Sequence, residues 1–398
     1  MAVDVESAES GTKGMDRRAM AVLSLGHMFS DATQVAVPAL LPFLVRGQGI
    51  SYAAAGTLVL ASTIASSVVQ PLFGHFSDRR SFVMLVPLGL VLGAVGIALV
   101  GVAPSYPLIL AAVVLSGLGV AAFHPEATRF ANLVSGERRA TGMSFFSVGG
   151  NAGFALGPLL LTPLVLGVGI PGTVIFAALP LAMAGVAAFE LPRLASFRSG
   201  SGTGSEDGQT GANDLWGVFA ILSGVISLRS VVQFGLIAFV PLYFAGVFSS
   251  SETVANVALS VTLVAGAIGT LLGGRLADRY GRRLVLIGSL LVLPPLFGCL
   301  LLSGQTLSLV LLVPIGAATV ASYSITVVLG QEYLPGRVGV ASGFTVGLAI
   351  GMGGVGSPVL GALADGFGLK AVMVALALLP IPAVLLALRL PRKLPASR

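Results

Sequence analysis

Twelve apolar runs, at about 19–45, 53–76, 82–103, 107–133, 140–163, 172–190, 216–246, 254–276, 284–303, 306–330, 338–363 and 370–390, limit what this chain can become. A helix needs about 20 predominantly apolar residues to cross the hydrocarbon core of a bilayer, and each run meets or approaches that length. None shows the alternation of apolar and polar positions that a membrane β-barrel requires. The expectation is an all-α membrane protein with twelve transmembrane helices. Composition agrees: 55% of the residues are hydrophobic and 10% charged, against roughly 45–50% apolar and 25% charged in soluble domains.

The net charge of +6 could suggest nucleic acid, but the basic residues sit in short turns between runs and not in patches interleaved with aromatics. Cytoplasmic loops of membrane proteins carry an excess of Lys and Arg. Of the 22 here, eighteen fall on the side of the N-terminus, Arg46 and Lys370 on the other, and Arg129 and Arg229 inside runs. Twelve is even, so both termini are expected in the cytoplasm, with the chain in the cell membrane. Residues 1–18 lack the apolar core of a secretory signal. Cys299 is the single cysteine, so no disulfide framework or cysteine metal site is available, and no cofactor is expected.

A Gly/Ser-rich stretch, 196–213, reads as a flexible tether. It separates a first bundle at 19–195 from a second at 214–390, with tails at 1–18 and 391–398. The halves repeat. Gly74-His-Phe-Ser-Asp78-Arg79-Arg80 returns as Gly274-Arg-Leu-Ala-Asp278-Arg279, Pro38 matches Pro241, and Gly149, Gly153, Gly157-Pro158 are echoed by Ala349, Gly353, Ser357-Pro358. Internal repeats of this kind are typical of transporters that rock one half against the other about a midplane site.

An ionised side chain at the bilayer centre costs on the order of 3 kcal/mol or more, so one found there usually faces a partner or a wet cavity. Runs one, four and seven hold His27 and Asp31, Glu126 and Arg129, and Arg229; run ten offers Tyr323 and Gln331. His27, Asp31 and Gln34 share a helical face, as do Arg229 and Gln233. We expect these faces to line one cavity, with Asp31 opposite Arg229. Glu126 lies near the cytoplasmic rim and could be a gate residue or half of a structural ion pair with Arg129. His124 points about 200° away from Glu126 and is expected to pack on neighbouring backbone.

Gly273-Gly-Arg-Leu-Ala-Asp278-Arg279-Tyr-Gly281-Arg282-Arg283 resembles the cytoplasmic signature of the major facilitator superfamily, and Gly74 to Arg80 is similar to its first-half counterpart. The Gly149 to Pro158 spacing resembles the motif on span five of proton-driven exporters. Gly26-His27-Met-Phe-Ser-Asp31, Ser66-Ser-Val-Val-Gln70-Pro71, Phe123-His-Pro-Glu126 and Ser147-Val-Gly-Gly-Asn151 resemble the fosmidomycin resistance branch, whose members export an anionic phosphonate. The resemblance implies two pseudo-symmetric six-helix bundles. It also implies a cytoplasmic gate made by Gly74, Asp78, Arg79, Gly274, Asp278, Arg279 and Arg282, in which Gly274 admits a neighbouring helix. Gly149, Gly153, Gly157 and Pro158 would form a tight contact between the halves.

The expected function is therefore proton-coupled efflux of a small anionic compound. Asp31, His27 and Glu126 are the proton-coupling candidates; His27 would either relay the proton or only hydrogen-bond Asp31. Arg229, Arg129, Gln34, Gln233 and Tyr323 would bind substrate, since a planar guanidinium matches phosphonate oxygens. The partners are a small molecule, protons and lipid, without nucleic acid, and the chain is expected to act as a monomer. An importer of an organic acid or sugar in the same fold stays open; an intramembrane enzyme is the remote alternative, with no catalytic motif behind it.

Overall fold

A computed structural model of the chain describes residues 14–70, 72–73, 82–197 and 214–391. Each apolar run becomes a helix. In order these are α1 (Arg17–Gln48), α2 (Tyr52–Thr63, continued by a π-helical segment Ile64–Val68), α3 (Leu85–Val102), α4 (Tyr106–Val134), α5 (Arg139–Val168) and α6 (Gly172–Phe189). The second half holds α7 (Trp216–Val247), α8 (Glu252–Tyr280), α9 (Arg282–Leu302), α10 (Gln305–Tyr333), α11 (Val338–Phe367) and α12 (Leu369–Leu388). Eleven are long and apolar enough to cross a membrane, and α2 contributes a shorter apolar helix. The tether at 196–213 lies almost wholly outside the described residues.

The repeat is visible in the packing. Within the first half α1 lies on α5, and α3 on α4 and α6; within the second α7 lies on α11, and α8 on α10. Each half ties the start of its first helix to the end of its fourth by a backbone bond, Asp16 N to Val134 O at 2.8 Å and Leu215 N to Tyr333 O at 2.7 Å. Such bonds satisfy amides that a helix start leaves without an internal partner. Asp16 also caps α1, accepting from Arg18 N and Ala19 N at 3.1 Å each, and pairs with Arg193 at 2.8 Å. Burial pushes the Asp16 carboxyl up, but the bonds from Arg193 and Ala19 outweigh it and hold the group below its ordinary value.

The halves meet where α2 packs on α11 and α5 on α8. Gly56 of α2 lies against the backbone of Ser357 and Pro358, and Gly361 of α11 against that of Tyr52 and Ala53, so a side chain at either glycine would collide with main chain. Across the other seam, the buried Asn256 of α8 donates to Thr162 Oγ1 at 2.8 Å and to Ala39 O at 3.1 Å.

One end of this seam is clasped shut. Arg46, at the end of α1, reaches Glu252 of α8 at 2.7 Å and the Ala245 carbonyl of α7 at 2.5 Å. Asp365 of α11 accepts from the first amides of α2, Tyr52 N at 2.8 Å and Ala53 N at 2.9 Å. A carboxylate is favoured there because the N-terminus of a helix carries partial positive charge and free donors. Arg46 is one of the two basic residues on the sparsely charged side, and the clasp accounts for its presence. In Asp365→Ala the two amides lose their acceptor. Spin labels placed on the two halves at this end are expected to report longer distances than in the wild type, and an unchanged distribution would show that the clasp does not hold the end closed.

Candidate functional site

A cavity of about 1020 Å³ lies between the halves. Pro38 and Val59 line it toward the clasped end, while Gln70, Met143 and Leu271, near the Arg-rich ends of α2, α5 and α8, line it toward the other. The cavity thus opens toward the Arg-rich face. Most of its wall is aliphatic. Besides hydroxyl side chains and Gln70, the polar groups of the wall include Asp31, Gln34, His124 and Asn151 from the first half and Gln233 and Tyr323 from the second.

On the first wall, Asp31 is 3% exposed and sits between two imidazoles. His27 Nε2 lies 3.3 Å from Asp31 Oδ2, and His124 Nε2 lies 3.1 Å from Oδ1. With no proton between them this contact is not a hydrogen bond, and Oδ1 is a buried acceptor without a donor. His27 is one turn from Asp31 on α1, so helical spacing brings them together; α4 delivers His124. The far nitrogen of each ring meets a main-chain carbonyl at 2.8 Å: His27 Nδ1 with Phe146 O, and His124 Nδ1 with Val120 O. The Phe146 ring stacks on His27 with centroids 4.1 Å apart. Gln34, a further turn along α1, donates to Ser66 Oγ at 3.2 Å, beside the π-helical segment of α2.

The second wall differs from expectation. Arg229 is fully buried and does not line the cavity. Its Nη1 donates to Gln233 Oε1 at 2.8 Å, and its guanidinium carbon lies 5.4 Å from the Tyr323 ring centroid. Gln233 and Tyr323 therefore stand between the cation and the open space. Nε and Nη2 have no hydrogen-bond partner, and among the described residues no carboxylate pairs with this guanidinium. Asp31 lies between the histidines and Arg229 bonds Gln233, so the two make no contact and do not face each other as expected.

Glu126 and Arg129 form a close pair, with Arg129 Nη2 donating to Glu126 Oε1 at 2.8 Å and Nε to Oε2 at 3.1 Å. Glu126 is completely buried and neither residue lines the cavity, because Glu126, two residues on, and Arg129, five residues on, are each turned well over a quarter of a circle from the face of α4 that carries His124. The pair is not part of the cavity wall. His124, expected to pack on backbone, does bond the Val120 carbonyl but also reaches Asp31 across from α4.

The glycine ladder of α5 packs inside its own half and not between halves. Gly149 lies on the backbone of Ser24, Gly153 on that of Met28, and Gly157 on Ala32 and Val35, all in α1. Gly353 and Gly356 of α11 likewise lie on Phe234 and Val231 of α7. Of the expected gate, Gly74, Asp78 and Arg79 lie outside the described residues. At its second-half counterpart the close approach belongs to Gly273, pressed on the Ala321 backbone, whereas a side chain at Gly274 would meet open space. Asp278 and Arg279 are exposed, and Arg279 lies over the Tyr280 ring. Arg282 pairs with Glu332 of α10, within its own half.

Comparison with known proteins fits this geometry. A family model described as Major Facilitator Superfamily matches residues 23–353 and 222–398. The chain is 36% identical over 370 residues to the MFS-type transporter YfnC of Bacillus subtilis, covering 92% of this chain and 90% of that protein. It is 31% identical over 366 residues to the fosmidomycin resistance protein of Escherichia coli, covering 91% and 90%. In fold it is similar to a bacterial homologue of the human lysosomal transporter Spinster, solved in an inward-facing and occupied conformation, with a TM-score of 0.79, 17% identity, and 93% and 96% of the two chains covered. The nucleoside transporter NupG aligns with a TM-score of 0.76, 14% identity, and 94% and 99% coverage.

The ladder gives a direct test of packing. Gly149→Ala drives a methyl into main chain and is expected to cost about 1–3 kcal/mol, read as a lower unfolding midpoint in detergent. Gly347→Ala, where an added methyl meets nothing, is the matched control and is expected to be neutral or slightly stabilising. Equal effects at the two positions would mean that the α1–α5 contact is not tight.

Proposed function

The chain belongs to the major facilitator superfamily, and from that premise we propose that it expels a small anionic compound in exchange for protons by alternating access. That it is a multi-pass membrane transporter and not an enzyme follows from the family and the fold. Direction, coupling ion and substrate are the proposal. The observation that carries it is the cavity itself: closed at the Arg46–Glu252 and Asp365–α2 clasp, open at the other end, with an ionisable cluster on one wall and an unpaired guanidinium behind the other.

The Arg-rich face supports a cytoplasmic location for the open mouth and both termini, since basic turns favour that side. The open mouth then receives substrate from inside the cell. Among the described residues Arg229 has no carboxylate partner, and a buried charge left unpaired is costly; an anion entering between Gln233 and Tyr323 would supply the missing charge. Arg229 would act on substrate only after these two side chains part. Similarity to the fosmidomycin resistance protein supports a phosphonate-like anion leaving the cell. Asp31 is the coupling group that best meets the requirement for access, since it lines the cavity that protons and substrate would share. Glu126, buried and paired away from that space, is better suited to holding α4 than to carrying protons.

Fosmidomycin is the probe for a transport test in everted membrane vesicles energised by a proton gradient. The wild type is expected to accumulate it, Asp31→Asn to bind it without gradient-driven accumulation, and Arg229→Ala to bind it more weakly. Loss of hydrogen bonds to a charged group, worth roughly 1.5–3 kcal/mol, corresponds to about a tenfold to hundredfold rise in Kd. Undiminished gradient-driven uptake in Asp31→Asn would remove the coupling assignment. Efflux of the probe from the vesicles would reverse the direction.

A further inference from the structure

The tautomers of the two histidines are set by the main chain. A carbonyl oxygen only accepts hydrogen bonds, so the 2.8 Å contacts to Phe146 O and Val120 O require the proton on Nδ1 of both His27 and His124. In a neutral imidazole the other nitrogen then offers a lone pair. Both lone pairs are aimed at one carboxylate, on different oxygens, at 3.3 and 3.1 Å. Three acceptors thus converge with nothing to donate between them. Each nitrogen–oxygen contact becomes attractive only when a proton occupies it, and a charge-assisted bond of that kind is among the strong ones.

Among the described residues no other charged side chain takes the place of these protons. On α1 the neighbouring titratable group is His27 itself. On α4 it is His124; Glu126 and Arg129 of the same helix bond to each other. From α5 come Gly150 and the Phe146 carbonyl, and the backbone is so close that a methyl on Gly150 would lie 2.6 Å from both Asp31 Oδ2 and His27 Nε2. On α7 the charged group is Arg229, which bonds Gln233 and stands behind the far wall. Among the described residues no Lys, Arg, Asp or Glu lies within ion-pair distance of Asp31.

We propose that His124 is a second proton-holding residue, and that His27, Asp31 and His124 together take up two protons, one against each oxygen of the Asp31 carboxylate. This deepens the proton-coupled reading and rests on it for its use in transport, while the tautomers rest on geometry alone. Empty, the cluster carries one negative charge; with one proton it is neutral; with two it carries one positive charge. The wall facing the substrate therefore reverses sign over the cycle. In an exchange cycle the two seats fill from the outer side once the anion has left, and empty to the cytoplasm when the next anion binds on the Arg229 side of the cavity. The Phe146 carbonyl makes one of the two seats depend on α5, which the glycine ladder presses onto α1.

The chain has three histidines, and His75→Asn leaves only the two of interest. In the full-length protein carrying that change, labelled with ¹⁵N-histidine and reconstituted in lipid, nuclear magnetic resonance reads tautomer and protonation of each ring. Both neutral rings are expected as the Nδ1–H form, both titrations are expected to shift in Asp31→Asn, and that of His27 to shift in His124→Gln. An Nε2–H tautomer in either ring, or a His124 titration indifferent to Asp31→Asn, would overturn the proposal without touching the transport reading. The tautomer measurement needs no substitution at the cluster, so a poorly folding variant does not leave the question open. If the rings behave as expected and vesicle transport of fosmidomycin ignores the proton gradient, the two-seat cluster stands and the coupling reading falls.

Discussion

A charge immersed in hydrocarbon must find a partner or water, and the arrangement of this transporter follows from how few ways there are to satisfy that demand. Three solutions occur side by side. Glu126 and Arg129 neutralise each other on one helix and need no cavity. Asp31 is enclosed by two imidazoles at the edge of a wet space. Among the described residues, Arg229 meets the Gln233 amide and the Tyr323 ring and no carboxylate. The first is a finished structure, whereas the other two are incomplete without something that arrives from solution, a proton on one side and an anion on the other.

The helix packing serves the same end. Small residues allow helices to approach closely where lipid gives no hydrophobic drive for association. Inside each half, Gly149, Gly153 and Gly157 bring α5 onto α1, and Gly353 and Gly356 bring α11 onto α7. These contacts hold the walls of the cavity rigid. Between halves the close approach is made elsewhere, at Gly56 and Gly361, near the clasped end. Tight packing within halves and a localised seam between them are what a rocking motion needs, since only the seam has to part.

The sequence foretold the spans because hydropathy over about 20 residues is a direct physical requirement of the bilayer, and it foretold the repeat because the two halves keep matching residues at matching places. His27 and Asp31 were legible from their spacing on one helix, and Gln34, Gln233 and Tyr323 do line the cavity. What could not be read was which way a polar group turns once neighbouring helices are in place. Arg229 points behind Gln233 and Tyr323, Glu126 turns from the cavity, and His124 reaches across from α4 to Asp31. Each depends on helix rotation, which a pattern along one helix does not encode. The ladder on α5 was misassigned to the seam for a related reason: glycine spacing shows that a helix has a flat face, not which helix lies upon it. Gly56 carried no signal, being a single small residue among alanines.

The clasp at Asp365 has an asymmetry of its own. Its acidic half is a side chain, while its receiving half consists of the main-chain amides of Tyr52 and Ala53. Peptide groups are the same whatever residues bear them, provided none is proline. Among descendants of this gene, the opening residues of α2 are thus free to drift while this half of the lock still engages, and its upkeep falls on the single codon for Asp365, beside the Arg46–Glu252 pair.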